Sequence, residues 1–137
     1  MGAAARPAPQ MSSPTLSGRS VLVIEDHPDS LQLLETVFHS LRARVVSARS
    51  IEEAEQQLSR HRPHLIVCDM RLPDGSGVDF IRWLRAQSPK LGRVPCIAIT
   101  GWDRVFPPER ASGFDAYMRK PLDLDRFCDV AVALGGE

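Results

Sequence analysis

Five short apolar runs, separated by stretches of helical periodicity, constrain this chain more than any other feature. The runs are 21–24 (VLVI), 45–48 (VVSA), 65–68 (LIVC), 96–99 (CIAI) and 116–118 (AYM). Three are continuously apolar, as parallel strands covered by helices on both faces must be. Between and after them, apolar residues recur at steps of three and four: Leu31, Leu34, Phe38 and Leu41; Ile51, Ala54 and Leu58; Val78, Ile81 and Leu84; Leu124, Phe127, Cys128 and Ala131. Each set is one face of an amphipathic helix. Strand-sized runs alternating with helices predict βα units with right-handed crossovers, and hence an α/β fold with a doubly wound, five-stranded parallel sheet.

Local signals place several helix starts. Ser50 with Glu53, and Ser76 with Asp79, have capping-box spacing, and Asp123 offers a carboxylate to the last helix. The rhythm breaks once, at residues 101–112 (GWDRVFPPERAS), where Pro107 and Pro108 remove two amide donors. The fourth helix is therefore expected to be short or irregular. Residues 1–18, dominated by Ala, Pro, Ser and Gly without apolar periodicity, read as a disordered tail, leaving a domain over 19–134 and a short tail at 135–137.

Seventeen basic and seventeen acidic residues leave no net charge to draw the chain to nucleic acid or an anionic membrane. No apolar run approaches the roughly 18 residues of a membrane-spanning helix, and the N-terminus lacks the pattern of a signal peptide. A cytoplasmic location is expected. Cys68, Cys96 and Cys128, an odd number without C-x-x-C spacing, read as small core residues rather than as disulfide or zinc partners.

In an open α/β sheet the ligand site lies beyond the carboxyl ends of the strands, at the point where strand order reverses. Here the first run ends in Glu25-Asp26, the third in Asp69 and the fourth in Thr100, while the fifth is followed by Lys120-Pro121. Three carboxylates at one edge repel one another unless a cation compensates them. All-oxygen ligation suits Mg2+, with Mn2+ also possible, and no Cys or His pairing here suits zinc. Lys120 and the Thr100 hydroxyl add a point charge and a donor, as a phosphoryl group on Asp69 requires.

VLVIED, LIVCDMRLPDGSG, IAITG and AYMRKP, taken together, resemble the receiver domains of two-component response regulators over about residues 19–134. The resemblance implies a flavodoxin-like sheet of order 2-1-3-4-5 and a phosphoprotein of phosphorelay signal transduction, not an enzyme. It implies that Asp69 accepts a phosphoryl group from a histidine kinase or histidine phosphotransfer protein. Glu25, Asp26 and Asp69 would bind magnesium with the main-chain carbonyl of Arg71, and Thr100 and Lys120 would hold the phosphoryl oxygens. Tyr117, three residues before Lys120, stands where the family's switch aromatic lies, and would answer Thr100. Glu25 departs from the commoner Asp, and its longer side chain often reaches the metal through water.

Other classes fit less well. An Asp-nucleophile phosphatase usually carries a general-acid Asp where Arg71 stands, and a flavin binder needs a phosphate cradle where Glu25-Asp26 would repel an anion. A degenerate receiver acting as a phosphorylation-independent binding module is the alternative. His27 reads as a solvated first-turn residue. Trp102, Val105 and Phe106, in the proline-broken interval, are either core packing or a contact patch. With no regular helix expected there, the domain is expected to be a monomer that signals by binding an output protein.

Overall fold

The computed structural model describes residues 15–101 and 113–136. The five expected runs become strands β1 (Ser20–Ile24), β2 (Arg44–Ala48), β3 (Leu65–Asp69), β6 (Cys96–Thr100) and β7 (Ala116–Arg119). All pair in parallel, in the order β2-β1-β3-β6-β7, which is the expected 2-1-3-4-5. Helices α1 (Pro28–Ser40), α2 (Ile51–Leu58), α3 (Gly77–Arg85) and α5 (Leu124–Gly135) carry the four periodic faces.

Alternation along the strands sorts the core into two layers. Val21, Val23, Leu65, Val67, Ile97 and Ile99 pack with α1 and α5, where the Phe38 and Phe127 rings meet edge-on at 5.5 Å. Leu22, Ile24, Ile66, Cys68 and Cys96 pack with Ala54 and Leu58 of α2 and Phe80, Ile81 and Leu84 of α3. The central strands are buried on both faces, and the reversal of strand order between β1 and β3 opens a crevice at their carboxyl ends.

All three expected caps are present. The Ser50 hydroxyl accepts from the Glu53 amide, Ser76 and Asp79 bond reciprocally, and Asp123 accepts from the Arg126 amide. Three features go beyond the sequence reading. A two-stranded hairpin, β4 (Arg71–Leu72) with β5 (Gly75–Ser76), turns at Pro73-Asp74, and a single helical turn, α4 (Pro89–Gly92), follows α3. Leu16, N-terminal to the expected start of the domain, is fully buried and its amide donates to the Leu41 carbonyl. Of the cysteines, Cys68 and Cys96 are buried as expected, whereas Cys128 is half-buried at the edge of the core. Trp83 packs peripherally on the α3 side. The expected short fourth helix, with Trp102, Val105, Phe106 and the paired prolines, lies outside the described residues, as do residues 1–14.

Candidate functional site

Three strand ends and one loop meet at the crevice. Glu25 extends β1 and is fully buried, Asp26 follows it into solvent, and Asp69 closes β3 with 8% of its surface exposed. One carboxylate oxygen from each lies within 4.8 Å of the others. Lys120, just past β7, reaches back over them, its Nζ 3.2 Å from Glu25 Oε1 and 3.5 Å from Asp69 Oδ2. The Lys120 amide donates to the Thr100 carbonyl, so the lysine's backbone is tied to the end of β6. The Lys120–Pro121 peptide is cis.

Backbone donors fix the carboxylates. The Arg71 amide donates to Asp69 Oδ1 at 3.1 Å, and the His27 amide donates to Glu25 Oε2 at the same distance. Gly77 holds the hairpin against the acid-bearing strand. Its amide donates to the Met70 carbonyl, and a Cβ there would stand 2.6 Å from Met70 Sδ and 3.2 Å from the Asp69 carbonyl oxygen. Only a residue without a side chain allows that approach.

Electrostatically the site is unbalanced. Burial first, then a hydrogen bond and charge repulsion from Asp69, push the Glu25 carboxyl from its ordinary value near 4.5 up to about 7, against opposing contributions from the His27 amide and Lys120. Among the described residues, three carboxylates gather around the Lys120 ammonium. A small, hard cation fits such a donor set: the ligands are all oxygen, Asp26 is open to solvent so that waters can complete the shell, and the added charge relieves the repulsion at Glu25.

Thr100 is half-buried at the end of β6, paired in register with Arg119, while Asp69 pairs with Ile99 next to it. Tyr117 is half-buried, lies edge-on to Phe114 with ring centres 5.6 Å apart, and packs against Met70 and Ala98 beside the acid-bearing strand. The structure thus brings Glu25, Asp26, Asp69 and Lys120 into direct proximity, with Arg71, Thr100 and Tyr117 around them. His27 is not part of the carboxylate cluster. Its Nδ1 accepts from the Ser30 amide and caps α1.

Sequence reasoning missed Asp74. Its two carboxylate oxygens accept from the Ile51 and Glu52 amides, which ties the hairpin to the start of α2. Burial is the largest single influence on the Asp74 carboxyl and pushes its pKa up, but the backbone donors of Ile51, Glu52 and Asp74 together outweigh it and hold the pKa below its ordinary value. Its signal was its place in a Pro-Asp-Gly turn, which shows a local turn but not the distant helix it caps.

Comparison with known proteins adds to this geometry. The family model described as response regulator receiver domain matches residues 21–131. The chain is 34% identical over 120 residues to the response regulator protein PilR of Pseudomonas aeruginosa, covering 87% of this chain and only 27% of PilR. It is 29% identical to the polar-differentiation response regulator DivK of Brucella anthropi, covering 87% of this chain and 98% of DivK. Among solved structures it is similar to the receiver domain of a sensor histidine kinase from Pseudomonas aeruginosa PAO1, with 28% identity, a TM-score of 0.79 and coverage of 88% and 100%. That structure holds a magnesium ion coordinated in its active site cleft.

Proposed function

The chain belongs to the response regulator receiver domain family, and from that premise we propose that it is a phosphorylation-dependent signalling module whose acceptor is Asp69. The observation that carries this reading is the reach of Lys120 Nζ to Glu25 and Asp69 at once, from a different strand end than either. Such an ammonium neutralises an incoming phosphoryl oxygen as well as it does the carboxylates.

Glu25, Asp26 and Asp69, with the Arg71 carbonyl, would hold magnesium, which when bound supplies positive charge to the equatorial oxygens of the transferring group. Asp69 supplies the nucleophile. A carboxylate oxygen forms the O–P bond while the P–N bond to a phosphohistidine breaks, the electron pair staying on the ring nitrogen of the departing imidazole, which takes its proton from solvent. The Arg71 amide holds Oδ1 of Asp69, leaving Oδ2, the oxygen nearer Lys120, as the attacking atom. Thr100 and Lys120 then hold the phosphoryl oxygens. With the Thr100 hydroxyl drawn toward the new anion, Tyr117 moves into the space it leaves, giving a two-state element biased by charge.

The partner supplying the phosphoryl group is a histidine kinase or a histidine phosphotransfer protein. A groove of about 230 Å3 between α1 and the lead-in to α5 is lined by Lys120 and by Leu33 and Leu124, the exposed large apolar side chains among the described residues. An apolar helix-docking surface next to the acceptor is what a protein donor needs. The module does not turn over a substrate, and it acts as a monomer on an output protein.

Intact-mass measurement after treatment with a small phosphodonor, with and without magnesium, tests the reading. One phosphoryl group should appear on the wild type only with magnesium, and none on Asp69→Asn. A stable phosphoryl group on Asp69→Asn would refute the assignment, and a wild type that never gains mass would leave a phosphorylation-independent binding module.

A further inference from the structure

The opposite edge of the sheet carries the reverse charge. At the amino ends of β3 and β6, a groove of about 220 Å3 is lined by Arg62, His64, Lys90 and Arg93, with Pro63 and Pro95 among its apolar walls. No acidic residue lines it among the described residues. Arg62, Lys90 and Arg93 are exposed and form no ion pair among the described residues. Asp115, an acid at this edge, is engaged by the Arg85 guanidinium and the Cys96 amide. The crowding is felt locally: burial, then Arg19 and Arg62, hold the His64 pKa below its ordinary value. In a chain of equal acidic and basic counts, cations gathered around a concavity without counter-charges among the described residues mark a place for an anion.

We infer that this groove binds a small, multiply charged phosphate compound, at a site separate from Asp69. Arg62 and Arg93 offer planar guanidinium forks that match tetrahedral oxyanions, and Lys90 adds a mobile point charge. His64 adds a neutral donor. Its Nδ1 accepts from the Ser20 amide at 3.0 Å, which leaves the proton on Nε2. Three permanent cations exceed what one carboxylate neutralises, so a di- or triphosphate is the better match than an acidic side chain. The balanced charge of the chain gives no wider basic field for a nucleic acid.

Metal-free protein at low ionic strength, titrated with inorganic pyrophosphate, ADP and adenosine and followed by amide chemical shifts and calorimetry, tests the site. Omitting divalent ions prevents the probes from bridging to Asp69. Pyrophosphate and ADP should shift amides at residues 62–64 and 90–95, and adenosine alone should not. Tighter binding of ADP than of pyrophosphate would assign a nucleotide, and equal binding the phosphates alone. Combining Arg62→Ala with Arg93→Ala should weaken binding about tenfold or more, while Arg93→Lys retains most of it and Lys120→Ala retains all of it. Absence of binding at millimolar probe, shifts confined to the Asp69 edge, or a polyglutamate peptide held in the groove that pyrophosphate cannot displace would each overturn the inference.

Discussion

Two charged clusters built from similar residues behave in opposite ways. Arg85, at the end of α3, donates Nε to the Gly113 carbonyl, Nη1 to the carbonyls of Gly92 and Val94, and Nη2 to Asp115 Oδ2 at 3.0 Å. Asp115 Oδ2 also accepts from the Cys96 amide. One cation meets one anion, and the remaining donors end on backbone acceptors. At the other edge Lys120 meets Glu25 and Asp69 with Asp26 beside them, so that among the described residues one ammonium reaches into a cluster of three carboxylates. The first arrangement is closed and ties α3, α4 and the start of β7 together. The second is open, and a fold retains such a cluster where a ligand closes it. Charge alone does not mark a functional site. Charge left uncompensated by its own neighbours does.

Exchanging the roles of the two clusters should therefore fail in both directions. The largest effect is expected from Lys120→Ala, which should lower the rate of phosphorylation by a small phosphodonor about a hundredfold while leaving the domain folded, since Lys120 is a partly exposed side chain outside the core. An unchanged rate, measured by intact mass over time, would show that the site does not use its ammonium. Arg85→Ala should do the reverse. It removes the guanidinium from three carbonyls and leaves Asp115 with the Cys96 amide but no cation, and a loss of about 2 kcal/mol in urea unfolding is expected with phosphorylation chemistry retained. Unchanged stability would mean that water replaces the guanidinium at no cost.

The sequence showed the open cluster better than the closed one, for a physical reason. Glu25, Asp26, Asp69, Thr100 and Lys120 each sit at the end of an apolar run, and a parallel sheet brings run ends to one edge whatever the details of the loops. The Arg85 cluster has no such rule behind it. Its partners come from the α3–α4 connection and from the lead-in to β7, and neither the single turn at Pro89–Gly92 nor the carbonyls at Gly92 and Val94 follow from periodicity. Asp74 and Leu16 escaped for the same reason, because a side chain that bonds or packs far along the chain leaves no local pattern. Element type was legible in the runs and periodicities, and strand order through the resemblance. The individual long-range polar contacts were not.

A smaller effect should appear in the pH dependence of the metal-free protein. Because the folded Glu25 carboxyl titrates near 7 rather than near 4.5, the native state holds a proton that the unfolded chain has already released between those values. The stability associated with Glu25 is full below the unfolded value and is lost as pH rises through about 7. Urea midpoints measured in chelator should fall over this interval in the wild type and stay level in Glu25→Gln, apart from the contributions of other groups common to both. A wild type as flat as the variant would show that burial does not perturb Glu25.

The central claim, that the carboxylate cluster is an open site awaiting positive charge, is tested most directly by thermal unfolding of the wild type and Asp69→Asn under magnesium titration at a pH above that interval, where Glu25 is ionised. Magnesium should raise the melting temperature of the wild type in a saturable way, and most of that rise should be gone in Asp69→Asn, whose metal-free melting temperature should equal or exceed that of the wild type because one repelling carboxylate has been removed. A wild type indifferent to magnesium, or an Asp69→Asn variant that melts well below it without metal, would contradict the account.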